Sequence, residues 1–236
     1  MAVAGKIAAS TLKRIIKNVK VGVQTQELDK NSLRLIERMG GKAAFKKVAG
    51  YKHTICTTPN DQVVHGPPGD YSLKEGDILG IDLGVWWKGY NSDVAETIGV
   101  GGLSKEKENF LKVGRQTLEK AIKVAKAGNY IGDISYTIQS NIEKAGYSVV
   151  KELVGHGVGK KLHENPLVPG IGKKSLGIKI KTGMVLAIEV IYNLGKPEVY
   201  LKENGWTVST KDRSISGLFE RTVAITEEGP LILTPL

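Results

Sequence analysis

Apolar positions along the first forty residues recur at helical spacing. Ile7, Leu12, Ile15 and Ile16 share one face, and Leu33, Leu35, Ile36 and Met39 repeat the pattern until Gly40 and Gly41 interrupt it, so two opening helices are predicted. Ser104 starts a long amphipathic segment with Glu106 and Glu108 in its first turns, expected to close at Gly128. A further helix is expected from about Asp133 to Ala145, with Gly146 as its cap. Between and after these lie stretches rich in Val, Ile and Gly that read as strands.

The strand-like stretches contain a repeat. Lys74-Glu75-Gly76-Asp77-Ile78-Leu79-Gly80-Ile81-Asp82 aligns with Lys181-Thr182-Gly183-Met184-Val185-Leu186-Ala187-Ile188-Glu189, and both copies end in an acid. Each is followed by a second acid ahead of an apolar run: Asp93 before Thr97-Ile98-Gly99-Val100, and Glu220 before Thr222-Val223-Ala224-Ile225. The repeat implies an α+β chain of two similar halves, about 1–125 and 126–236, within a single catalytic domain spanning 1–236. Asp82 and Asp93 flank Trp86-Trp87-Lys88-Gly89 at nearly equal distances. In an antiparallel hairpin they are expected to lie opposite one another on one face. Two carboxylates facing each other among Ile, Leu and Val repel and lose hydration, and a cation between them removes that cost.

Composition narrows the options. The 236 residues are 41% hydrophobic and 25% charged, an ordinary globular balance, and no apolar run reaches membrane-spanning length. No membrane association and no secretory leader are expected. Cys56 is the single cysteine, which excludes an internal disulfide and fits a cytoplasmic protein. The net charge of +10 invites a nucleic-acid reading. The lysines are dispersed, however, in short pairs such as Lys46-Lys47, Lys160-Lys161 and Lys173-Lys174, with no nucleic-acid motif.

His156 stands in the glycine-rich run Val154-Gly155-His156-Gly157-Val158-Gly159. That run lacks the Gly-Lys-Ser/Thr ending of a phosphate loop, so its glycines are expected to let backbone and substrate approach a metal. Four carboxylates and one imidazole suit Mn²⁺, Fe²⁺, Co²⁺ or Zn²⁺. Five side chains exceed a tetrahedral zinc site and suit a bridged pair of cations that generates hydroxide for hydrolysis.

Several segments together resemble the type I methionine aminopeptidases. They are Val64-His65-Gly66, Gly80-Ile81-Asp82-Leu83-Gly84-Val85, Gly155-His156-Gly157-Val158-Gly159, His163-Glu164-Asn165-Pro166, Gly183-Met184 with Ile188-Glu189, and Phe219-Glu220-Arg221-Thr222-Val223. The resemblance implies the pita-bread fold of the creatinase/aminopeptidase group, with antiparallel sheets covered by helices. It implies that two divalent ions (Co, Mn, Fe or Zn) are held by Asp82, Asp93, His156, Glu189 and Glu220, with Asp93 and Glu220 bridging. Glu189 would also shuttle the proton of the attacking water. His65 and His163 would lie outside the metal shell and contact substrate, making His65, His163 and Glu189 the catalytic set. Tyr51, Cys56 and Trp206 would wall the methionine pocket, although Lys46-Lys47-Val48-Ala49 departs from the usual Gly/Tyr-rich lead-in. The implied substrates are the N-termini of nascent polypeptides with a small second residue, and the implied state is a monomer. Ribosome association through the basic surface is a further expectation. Two rivals remain: a proline-specific exopeptidase on the same fold, and a non-catalytic module that binds peptides or RNA.

Overall fold

The computed structural model describes residues 1–236. Four helices form: α1 (Ala2–Asn18), α2 (Thr25–Arg38), α3 (Lys105–Val124) and α4 (Ile131–Lys144). Helix α1 buries Ile7, Leu12 and Ile15 on one face, as their spacing predicts. Ser104 caps α3, its hydroxyl accepting the Lys107 amide N–H at 3.3 Å. Helix α3 ends at Val124, before Gly128, because the Gly128 amide is committed to Ile180 O. Helix α4 begins two residues before Asp133. The Asp133 carboxylate accepts the Tyr130 amide at 2.8 Å, so the aspartate belongs to the first turn.

The spine is a pair of antiparallel hairpins, Ile78–Trp87 with Tyr90–Gly99 and Val185–Asn193 with Ser216–Thr226. Both belong to one ten-stranded sheet. Lys88 and Gly89, both at positive φ, make the two-residue turn of the first hairpin. Helix α1 packs on the first hairpin through Ile7, Leu12 and Ile15 against Leu79, Ile81 and Val94. Helix α3 packs on the second through Phe110 and Leu118 against Ile188, Val190 and Phe219, and α4 packs beside α3 on the flanking strands Glu164–Pro169 and Ser148–Val149, its Ile134 and Ile138 joining the same core.

The internal repeat survives in the hydrogen bonding. Gly76 N donates to Val100 O, and Gly183 N donates to Ile225 O. Val100 N reaches Asp77 O, as Ile225 N reaches Met184 O. Helix α3 shares the core of the second hairpin. The change of core falls near Gly101 and Gly102, where the first core has ended at Val100 and the second is about to collect Leu103 and Phe110.

The hairpins join edge to edge through a short seam, with only Ala95↔Glu220 and Val94↔Arg221 in ladder register. On its helix-facing side Glu96 is clamped by Arg115 of α3 (2.6 Å) and by Arg221 (2.7 Å). That fork ties both hairpins to α3.

Candidate active site

All five residues singled out as ligands converge on the sheet face away from the helices. Asp82 and Asp93 share a face but are not directly opposite: Asp93 pairs with Gly84, and Asp82 pairs with Ala95. The two-residue turn sets this register, which makes the aspartates diagonal neighbours. Glu189 and Glu220 do stand directly opposite across the second hairpin. The repeat is therefore imperfect in its chemistry. The structural counterpart of Glu220 is Ala95, and that of Asp93 is Leu218, since each occupies the same rung of its own hairpin.

Donor atoms of Asp82, Asp93 and Glu220 lie within 4.8 Å of one another. The same holds for His156, Glu189 and Glu220, and for Asp93, His156 and His163. Asp93, His156 and Glu220 are buried. Asp82 Oδ1 and Glu220 Oε1 are buried oxygens with no hydrogen-bond partner, which is costly for an acceptor unless a cation faces it.

Electrostatics point the same way. Burial, then repulsion from Asp93 and Glu189, holds the Asp82 carboxyl well above the usual carboxylate range. Glu189 is raised by burial and by Asp93. Glu220 is raised by burial, then by Asp93, Glu189 and Asp82, with Arg221 opposing. Burial also pushes Asp93 up to about 7, against the lowering effect of the Val94 amide on its Oδ1 at 3.1 Å and of its hydrogen bond with Asp82. Four crowded acids, two buried and two nearly so, that cannot all ionise together are a fit for divalent cations.

His156 is fixed by a 2.8 Å hydrogen bond between Nδ1 and Gly157 O. With Nδ1 donating, Nε2 presents its lone pair to the cluster, 3.6 Å from Glu189 Oε1. Burial lowers its pKa to about 4, keeping the ring neutral as a ligand requires. The glycines flanking it answer protein backbone more than substrate: side chains at Gly155 and Gly157 would strike Ala187 O and Asn165 O. His163 stands closer to the cluster than expected, its ring centroid 4.4 Å from that of His156. His65 adopts φ 59°, a left-handed conformation rare outside glycine. Both rim histidines keep part of their surface in solvent and have lowered pKa values, His65 through burial and then His163, His163 through burial alone.

A pocket of ≈ 140 Å³ opens over the acids, which form part of its lining. Tyr51, Cys56 and Trp206 line it as expected of the pocket walls, with Tyr51 edge-on to Trp206 at 4.9 Å. Tyr51 Oη donates to Ile55 O at 2.9 Å and lies 3.1 Å from Cys56 Sγ. Cys56 pairs across the strands with Asp82, which sets the apolar wall directly against the acids. Phe45, Val48 and Leu162 complete this wall and were not singled out from the sequence. The signal for the first two was an apolar pair three residues apart, now seen around one 3₁₀ turn (Phe45–Lys47).

The chain is similar to known proteins along nearly its whole length. A model of metallopeptidase family M24 matches residues 1–227. A methionine aminopeptidase from Clostridium perfringens is 44% identical over 231 residues, covering 98% of this chain and 93% of that protein. The crystal structure of a methionine aminopeptidase from Thermotoga maritima superposes with a TM-score of 0.98 at 39% identity, covering 100% of this chain and 95% of that one. A prolidase from Pyrococcus furiosus shares the fold alone, with a TM-score of 0.79 at 24% identity and 62% of its length spanned. The fold is the pita-bread fold of these enzymes.

Proposed function

The chain belongs to metallopeptidase family M24, and from that premise we infer that it is a methionyl aminopeptidase, a metal-dependent hydrolase that removes the N-terminal methionine from peptides and nascent proteins. One observation carries the reading: buried acids with unpartnered oxygens stand beside an apolar, partly aromatic pocket.

Asp82, Asp93, His156, Glu189 and Glu220 are the residues proposed to hold two divalent cations. Asp93, His156 and Glu220 each belong to two of the three donor groups, which links the five residues into one centre. The oxygen-rich donor set suits Mn²⁺, Fe²⁺, Co²⁺ or Zn²⁺. When bound, such ions supply Lewis acidity, lowering the pKa of a water and polarising the scissile carbonyl.

The rest falls to side chains. Phe45, Tyr51, Cys56 and Trp206 take the methionine side chain, and the boundary of this wall with the acids places the first peptide bond over the cluster. Glu189 accepts a proton from the attacking water as its oxygen bonds to the carbonyl carbon. It then returns that proton to the departing amine as the C–N bond breaks. His163, neutral and next to His156, donates an N–H to the carbonyl oxygen as charge develops there. His65 hydrogen-bonds the scissile amide from the rim of the pocket. A small second residue, a monomeric state and a cytoplasmic location complete the proposal. The charge of +10 supports salt-sensitive association with ribosomes, which co-sedimentation at low and high salt tests.

The deciding assay chelates the protein, restores Mn²⁺, Co²⁺, Fe²⁺ or Zn²⁺ singly, and compares Met-Ala-Ser with Xaa-Pro dipeptides. Metal-dependent release of methionine is the expected result. Cleavage of Xaa-Pro substrates without methionine release would overturn the assignment, and RNA binding with no bound divalent ion would favour the non-catalytic module.

A further inference from the structure

The seam between the hairpins carries a second pseudo-symmetric device. Beyond the two ladder pairs, Thr222 faces Asp93 on one side and Thr97 faces Leu218 on the other. Thr222 Oγ1 accepts the Asp93 amide at 2.8 Å and donates to the Asp93 carbonyl at 2.7 Å. Thr97 Oγ1 accepts the Leu218 amide at 2.9 Å and donates to the Leu218 carbonyl at 2.7 Å. The two threonines are structural counterparts in the repeat, and both are fully buried. One hydroxyl thus replaces a ladder rung on each side.

The clamps look alike but hold different cargo. Leu218 presents an apolar side chain to the pocket wall, whereas Asp93 presents a carboxylate to the donor cluster. Gripping both the N–H and the C=O of Asp93 fixes the φ and ψ of that residue, and with them the direction of its Cβ. The Val94 amide then orients Oδ1. Thr222 is itself braced, its amide donating to Thr234 Oγ1 at 2.9 Å and its carbonyl accepting from Leu233 N. We propose that Thr222 is a positioning residue for the metal centre, setting Asp93 by a hydroxyl clamp across the seam, while Thr97 does the same structural work without a metal role. This deepens the reading of Asp93 as a ligand and rests on it.

The test compares Thr222→Val with Thr97→Val, each nearly isosteric and each losing one clamp. Thermal unfolding of the chelated proteins should show similar losses of melting temperature. Calorimetric titration with Mn²⁺ should show affinity falling about 10–100-fold in Thr222→Val, the usual range for residues supporting a ligand, with Thr97→Val close to the unmodified protein. Thr222→Ser, which keeps the hydroxyl, should restore affinity. Should Thr222→Val not fold, Thr222→Ala, which frees space for a water at the hydroxyl position, is read in the same way. Equal affinity losses at both threonines, or none at Thr222, would overturn the proposal. Failure of the unmodified protein to bind Mn²⁺, or binding indifferent to Asp93→Asn, would instead overturn the ligand reading beneath it.

Discussion

Stripped of divalent ions, the protein should become more stable when Asp93 is replaced by asparagine, and the gain should grow with pH. Burial lifts the Asp93 carboxyl to about 7, whereas in the unfolded chain it titrates near the ordinary value of about 3.9. The folded value is the higher one, so across that window the folded protein keeps a proton that the unfolded chain has released. Stability therefore falls as pH rises from about 4 to about 7. At 1.36 kcal/mol per unit, the cost is under ~1 kcal/mol at pH 4, ~2 kcal/mol at pH 5 and ~4 kcal/mol at pH 7.5. Asparagine never ionises and keeps an oxygen for the Val94 amide. Relief of Asp82, Glu189 and Glu220, each raised in part by Asp93, adds to the gain. His65, His156 and His163 shift the opposite way, costing stability as pH falls below about 6.5. They are present in both proteins and cancel in the difference. Urea unfolding of chelated wild type and Asp93→Asn at pH 4, 5, 6 and 7.5 measures that difference directly. A variant that is less stable at pH 7.5, or a difference flat across the series, would refute the electrostatic account. Restoring Mn²⁺ should reverse the order, because the wild type, with all five proposed donors, then gains the larger binding energy.

Three further outcomes follow from other parts of the structure. Glu189→Gln should lower kcat by about 10²–10⁴-fold with an unchanged far-UV circular dichroism spectrum; near-normal turnover would remove the proton shuttle. Trp206→Ala opens the pocket wall and forfeits the edge contact with Tyr51, itself worth about 0.5–1.5 kcal/mol. Its kcat/KM for Met-Ala-Ser should fall at least several-fold, and an unaffected value would relocate the methionine pocket. Arg221→Met leaves the buried Glu96 carboxylate with Arg115 alone and should cost about 3 kcal/mol in urea unfolding; a loss below about 1 kcal/mol would mean that Arg115 suffices.

The helices and the first hairpin were legible because their signals are local: Leu12 and Ile15 at helical spacing, Ser104 as a cap, and the Trp86-Trp87-Lys88-Gly89 stretch between two strand-like runs. The repeat, too, could be read, and its apolar runs headed by Thr97 and Thr222 are true counterparts. The acids sit differently within it. Asp93 lies four residues before Thr97 and Glu220 two before Thr222, a mismatch that shows they occupy different rungs. The diagonal placement of Asp82 and Asp93 depends on where a two-residue turn sets the register, which near-equal spacing cannot reveal. The core boundary at Gly101 and Gly102 escaped the sequence because amphipathic spacing in α3 does not say which sheet its face will cover. Phe45 and Val48 are ordinary apolar residues until the chain folds over Cys56. The clamping threonines were hidden for a similar reason, since threonine in a strand reads as simple β propensity.

The short seam has a consequence for how the protein could be divided. With α3 and α4 on one side and α1 and α2 on the other, a cut at Gly101–Gly102 would yield two fragments, each with its own hairpin and helix pair. Neither fragment carries more than three of the five proposed donors: Asp82 and Asp93 go with one, and His156, Glu189 and Glu220 with the other. Cation-driven reassembly of such fragments would therefore report complementation at the seam, with the ions acting as glue between polypeptides that have no covalent link.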